Sequence, residues 1–323
     1  MTRGGRIVIT GVAGFIGSNL ADRLLGEGYT VVGIDDLSQG VIEQVPDGVE
    51  FHRADIRSPS IHAHFRGASA VFHLAAKNCI SDCQREPVET MDVNVTGTAN
   101  VLEAAARAGA LRVVYAESSS LYEGIARFPT PEDAVAPESF YAASKLAARE
   151  VALGYARHRG VRTTALRYFC VYGPRQDYRR TVPPVMSAFI LRLLRGERPT
   201  IYGTGEKRRD FVYVDDVNDF HVQCLVDART EGGTFNLGSG EDHSVREIYE
   251  MIRDLMGSGV EAERAADLPG EAARTCADIG RARALGWAPR TPLAEGLRRS
   301  VEHIRRVVGP SAAAGSERIV AAT

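Results

Sequence analysis

The chain has 323 residues, 44% hydrophobic and 25% charged, with a formal net charge of −2. This balance, long enough for one large or two modest domains, excludes a strongly basic nucleic-acid-binding surface. No apolar run approaches the roughly 20 residues needed to span a bilayer.

In chain order, short apolar runs predict strands over 6–10, 30–35, 50–53, 70–74, 112–116 and 163–168. Segments with helical apolar spacing lie between them, over 15–27, 93–108 and 141–159. Such alternation implies βαβ units and an α/β fold: a doubly wound parallel sheet of the Rossmann kind. Beyond Gly173 the pattern loosens into Pro183-Pro184, a glycine turn at 203–205 and further helices, which predicts a smaller mixed α/β lobe. A strand over 234–237 is expected to rejoin the main sheet. The lobes would then interleave, with 1–169 and 208–240 binding a dinucleotide and 170–207 and 241–308 forming the substrate lobe. The Ala/Ser/Gly-rich tail over 309–323 is expected to be disordered. The chain starts directly on a strand pattern, with no signal-peptide signature. Its five cysteines are odd in number and scattered, without the tight, even spacing of a disulfide framework or a zinc site. A cytoplasmic protein without a metal, a membrane anchor or a nucleic-acid partner is expected.

Two motifs carry chemistry. In "TGVAGFIG", Gly11, Gly14 and Gly17 follow a strand and open a helix. Glycines there let the backbone approach a pyrophosphate, which the helix N-terminus favours. Asp35 and Asp36 end the second strand, where an acid binds both ribose hydroxyls of NAD and repels the 2′-phosphate of NADP. In "YAASK", Tyr141 and Lys145 share one helix face. A lysine beside a phenol lowers its pKa and makes it a usable general base.

Together with "HLAA" (73–76), "NVTGT" (94–98), "VYGPRQ" (171–176), "YGTGEKRRDFVYVDDV" (202–217) and "FNLGSG" (235–240), these motifs resemble the extended short-chain dehydrogenase/reductase family. Within it, the likeness is to the nucleotide-sugar 4-epimerases. That resemblance implies an NAD-dependent enzyme acting on a UDP-sugar, usually as a homodimer. It implies catalytic roles for Ser118, Tyr141 and Lys145. It also implies cofactor contacts from the glycine turn with Phe15 and Ile16, from Asp35 and Asp36, from Asp55 and Ile56, from Leu74, Ala75 and Ala76, and from Asn94. On the substrate side it points to Ser119, Ser120, Glu123, Cys170, Arg179, Arg209, Glu271 and Thr275.

The stretch "ESSSLYE" (117–123) bears on the reaction. In the 4,6-dehydratases of this family, Asp and Glu follow the catalytic Ser/Thr and eliminate water. Here Ser119 and Ser120 stand at those positions, which points to epimerisation. Strand alternation turns Glu117 to the opposite face from Ser118, so it is expected to be structural. Glu123 is open between a structural place and a sugar contact.

Several positions depart from the family pattern. Cys170 replaces a substrate-contacting asparagine, and Leu268 a diphosphate-binding arginine that Arg179, Arg180, Lys207 or Arg208 could replace. Thr275 leaves room where a bulky residue in the family excludes an N-acetyl group, which favours UDP-GlcNAc/UDP-GalNAc over UDP-Glc/UDP-Gal as the substrate pair. The competing expectations are a 4,6-dehydratase, a decarboxylase, a UDP-glucuronate epimerase, or a non-catalytic NAD-responsive binding protein. Dimerisation is expected through helices 93–108 and 141–159, whose Ala104, Ala105, Ala142 and Ala147 would permit close approach.

Overall fold

The computed structural model describes residues 4–110, 112–180, 183–267 and 272–309. The expected tail beyond Gly309 and the positions Leu268 and Glu271 lie outside these described residues. Seven parallel strands form the central sheet: β1 (Arg6–Thr10), β2 (Thr30–Asp35), β3 (Glu50–Arg53), β4 (Ala68–His73), β5 (Arg112–Ser118), β6 (Arg162–Tyr168) and β7 (Thr234–Leu237). Their order is β7-β6-β5-β4-β1-β2-β3, so the winding direction reverses between β1 and β4. A crevice forms beyond the carboxyl ends of the strands at such a reversal, and ligands bind there. The return of 234–237 to the sheet edge beside β6 is as expected.

Alternation along each strand builds a core on both faces. Ile7, Ile9, Phe72 and Val114 face one side, where Leu20, Leu24, Val217 and Phe220 pack against them. Val8, Val71, Val113 and Ala165 face the other, beneath Val101, Leu102 and Ala152. The helices on these faces include α1 (Phe15–Gly26), α2 (Gly97–Ala108) and α3 (Phe140–Arg159). The segment expected as one helix from residue 93 begins instead as a π-helical turn, Asp92–Thr96, that runs into α2.

A separate core joins α4 (Val185–Leu194), α5 (Val214–Val226), α6 (Val245–Leu255) and α7 (Leu293–Val308) through Ile190, Val214, Ile252 and Val301. Phe211 and Tyr213 belong to this smaller core, whereas Val217 and Phe220 belong to the main one. The chain therefore crosses between lobes at Val214, inside α5, a little later than expected. Ala104, Ala105 and Ala142 are almost fully buried within the subunit. Ala104 and Ala105 belong to the core on their own sheet, so of the four expected interface alanines only Ala147 retains exposure.

Candidate active site

The cleft at the reversal point encloses about 500 Å³ and runs from the β1–α1 turn to the first turn of α3. At one end, Gly11 holds φ +76°, in the left-handed region, and a Cβ there would lie 2.7 Å from the Ala75 nitrogen. A Cβ on Gly17 would lie 2.2 Å from the Gly11 carbonyl oxygen. The turn thus closes only with glycine. Gly14 precedes α1 without any capping side chain, and the first turn of α1 carries no acid. Its opening N–H groups, from Phe15 onward, have no intrahelical acceptors. This cradle fits a pyrophosphate.

Asp35 closes β2 at the cleft wall and is 8% exposed. Its carboxylate accepts from Ala13 N (3.0 Å) and Leu37 N (2.9 Å). Burial pushes its pKa upward against these bonds. Leu37, at φ +63°, takes a strained turn that the Asp35 bond helps hold. Asp36 lines the same end of the cleft but is exposed, and its carboxylate accepts from Ser38. Asp55, Ile56, Leu74, Ala75 and Ala76 also line the cleft. The Asp55 carboxyl is held below the usual range by Arg57, 2.6 Å away.

Asn94 departs from expectation. Its amide oxygen accepts from Lys77 N (2.8 Å), and its nitrogen donates to Lys77 O (2.9 Å) and Ser144 Oγ (2.9 Å). All of this buried side chain's polar atoms are thereby occupied, so it braces the post-β4 loop against α3 and stands outside the cleft lining.

At the other end, Ser118 ends β5, while Tyr141 and Lys145 stand on the first turns of α3, and all three line the cleft. The helix begins there because the Ser139 side chain accepts from Ala142 N. Lys145 Nζ donates to the Ala116 carbonyl at 3.1 Å and lies 6.0 Å from the Tyr141 ring centroid. Burial lowers the Lys145 pKa to about 8, against the opposing charge of Glu117. Burial also raises the Tyr141 pKa to about 12, with a Ser118 hydrogen bond pulling it partly back. The expected lowering of the phenol by Lys145 is therefore outweighed by burial, because the ammonium is turned to the backbone of β5.

The two acids flanking the serines resolve differently. Glu117 is buried and sits 2.6 Å from Arg167 Nε, with Tyr115 Oη donating to it at 3.2 Å. Glu117 is among the residues lining the cleft, but its side chain is fully buried in this ion pair, in keeping with a structural role. Glu123 accepts from Glu138 N (2.9 Å), Ser139 N (2.7 Å) and Ser139 Oγ (2.9 Å). Of the two readings open for Glu123, these bonds match the structural one: its carboxylate organises the start of α3.

Among the remaining substrate-side candidates, Ser119, Ser120, Cys170, Arg179, Arg209 and Thr275 do not line this cleft. Ser119 and Ser120 open a short 3₁₀ turn, where Ser120 N donates to Ser118 Oγ. Cys170 starts a strand paired with Phe211–Tyr213. Exposed Arg179 stacks on Tyr178, with its guanidinium 5.7 Å from the ring. Arg209 pairs in a strand with His243, and Thr275 N donates to Arg208 O at 3.0 Å, which puts both on the small lobe. Gln176, Asp177 and Arg180 do line the cleft, and Arg180 is 3.1 Å from Asp177. Gln176 and Asp177 were missed, although "GPRQD" lies within the motif region and is the signal that could have found them.

These features define a dinucleotide-binding enzyme with the Ser–Tyr–Lys set of the short-chain dehydrogenase/reductase type. More narrowly, the chain belongs to the NAD dependent epimerase/dehydratase family, whose profile matches residues 7–238. It is 39% identical over 311 residues to a UDP-glucose 4-epimerase of Mycolicibacterium smegmatis, covering 93% of this chain and 98% of that one. A UDP-glucose 4-epimerase from Thermotoga maritima, solved with UDP-glucose, superposes with a TM-score of 0.90 at 32% identity, covering 94% of this chain and all of that one. A Thermus thermophilus UDP-glucose 4-epimerase in complex with NAD gives 0.86 at 34% identity, covering 93% and 99%.

Proposed function

We propose that this chain is an NAD-dependent epimerase that inverts C4 of a UDP-sugar through a transient 4-keto sugar. One observation carries the choice of reaction. Ser118, Tyr141 and Lys145 meet in the cleft, while both nearby acids, Glu117 and Glu123, are bound to structural partners. No carboxylate follows Ser118 to protonate a 6-hydroxyl or take a C5 proton, so elimination of water lacks its acid and base.

Bound NAD supplies the acceptor and donor of the C4 hydride. Tyr141 Oη takes the proton of the 4-hydroxyl as the C–H bond breaks, and Ser118 Oγ holds that hydroxyl in line. Lys145 would orient the nicotinamide ribose and, once its ammonium leaves the Ala116 carbonyl for the cleft, would offset the rise that burial gives the Tyr141 phenol. When the keto sugar has turned its other face, Tyr141 returns the proton and the net redox change is zero. Arg180 meets the diphosphate from the cleft wall and Arg209 meets it from the small lobe, as guanidinium suits phosphate oxygens. The Thr275 side chain on that lobe is small enough to accept an N-acetyl sugar as well as a hexose. The protein acts in the cytoplasm, in keeping with its scattered, odd-numbered cysteines. It works as a homodimer joined through α2 and α3, for which light scattering at micromolar concentration gives the test.

Incubation with UDP-glucose, UDP-GlcNAc and UDP-glucuronate, read by NMR and mass spectrometry, tests the reaction. The expected product has unchanged mass and inverted C4. Loss of water or carbon dioxide overturns the reading, and absence of turnover with NAD bound favours a binding protein.

A further inference from the structure

Behind the loop that forms one wall of the cleft lies a second cavity of about 380 Å³. Asp22 of α1, Arg175 of the loop and Arg299, Glu302, His303 and Arg306 of α7 line it. Most of these charges are already matched. Glu302 pairs with Arg298, and Arg299 is held by Glu295 at 2.7 Å while stacking over Tyr213. Asp22 Oδ2 lies 2.6 Å from Arg175 Nη1. That nitrogen is nevertheless buried without a well-directed hydrogen bond. Arg306 has no carboxylate partner among the described residues, and half-buried His303 feels the positive charge of both Arg175 and Arg306. Two guanidinium groups thus act on one imidazole, one of them matched by Asp22 and the other, exposed Arg306, matched by no carboxylate among the described residues.

The backbone at this place is also unusual. Arg175 holds φ +70°, which non-glycine residues rarely adopt and which clusters at functional sites. Asn19 Nδ2 fixes the preceding carbonyl, Pro174 O, at 3.0 Å. Gln44 Nε2, from the cleft lining, donates to Arg175 O at 3.3 Å. Arg175 therefore offers its carbonyl to the front cleft and its guanidinium to the rear cavity.

We propose that the rear cavity binds a small phosphate-type dianion, gripped by Arg175, His303 and Arg306. A dianion there would take charge-assisted hydrogen bonds from both guanidiniums and favour the imidazolium form of His303. Burial and the two arginines otherwise keep that imidazole below its ordinary pKa. Binding of a dianion therefore takes up a proton at His303 and tightens as pH falls until the anion is itself protonated; among the described residues lining the cavity, Asp22 and Glu302 are the carboxylates and Arg299 is the further cation. Gln176, Asp177 and Arg180, next along the same loop, line the front cleft. An anion in the rear cavity and a ligand in the front cleft would then alter each other's affinity by the same factor.

Calorimetric titration of the full chain with inorganic phosphate and with glucose 1-phosphate at pH 8, where both are dianions, and with sulfate, a dianion throughout, at pH 7 and pH 6, all at chloride-matched ionic strength, tests this. Saturable binding is expected, with sulfate up to about tenfold tighter at pH 6 than at pH 7, as one linked proton over one pH unit gives. Arg306→Ala should weaken it about tenfold or more, as loss of a charge-assisted contact does. His303→Gln should remove the pH dependence, with thermal melting confirming that both variants fold. Tighter binding of glucose 1-phosphate would identify a phosphate ester as the natural occupant, and equal binding the free ion. No saturable binding, or binding unchanged in Arg306→Ala and so located elsewhere, overturns the proposal.

Discussion

At the scale of single residues, Glu117 and Arg167 form an ion pair with both side chains fully buried. Removing one partner of such a pair strands the other charge, at a cost of about 3–5 kcal/mol. Glu117→Ala should lower the free energy of unfolding, read from a denaturant titration, by that amount, while turnover per folded molecule remains largely intact. Tyr141→Phe should do the reverse, leaving stability nearly unchanged and cutting turnover at least about a hundredfold, the loss expected for a general base. Asp35 allows a third comparison. Its carboxylate faces the ribose end of the cleft, so Asp35→Ala should narrow a preference for NAD over NADP, measured by equilibrium titration of both. The residues that were legible in the sequence owe their roles to near neighbours: three glycines in one turn, an acid at a strand end, a tyrosine and lysine one helical turn apart. Asn94 and Glu123 were not legible, because their duties are set by partners at Lys77, Ser144 and Ser139 that only the folded chain brings close.

At the scale of elements, strand periodicity located all seven strands of the sheet, with small shifts at the ends of β4, β5 and β6. What periodicity could not show was the π-helical turn at Asp92–Thr96, since one extra residue in a turn leaves the apolar spacing almost unchanged. The β1–α1 turn and the start of α3 each yield a prediction. A Cβ on Gly17 would overlap the Gly11 carbonyl, so Gly17→Ala should abolish NAD binding by calorimetry while the circular dichroism spectrum is kept. Glu123→Gln loses a charged acceptor from the backbone donors that open α3. It should cost about 1 kcal/mol of stability, as the loss of a helix cap does, and leave product identity unchanged.

At the scale of the whole molecule, buried histidines set its response to acid. His73 is wedged between Thr10 and Thr98, and His221 is bonded to Tyr168 at 2.6 Å. Burial lowers each to about 3 from an ordinary value of 6.5. Between those values the unfolded chain binds protons that the folded chain does not, so stability falls as pH drops below 6.5. Each histidine contributes up to about 1.4 kcal/mol per pH unit. Melting temperatures from pH 7 to pH 4 should follow that slope, and His221→Gln should flatten it by one histidine's share. The interleaving of the lobes has a further consequence, for the chain as it leaves the ribosome. The first six strands are complete at Tyr168, yet β7, which covers the edge of β6, ends only at Leu237. During that interval of synthesis β6 is a bare edge of unpaired backbone groups, the kind that pairs with other chains. A nascent chain halted before Leu237 should aggregate or stay bound to chaperones, and one released just past it should still lack α6 and α7, which complete the small lobe's core. Neither lobe can therefore be cut out as a continuous piece of the gene.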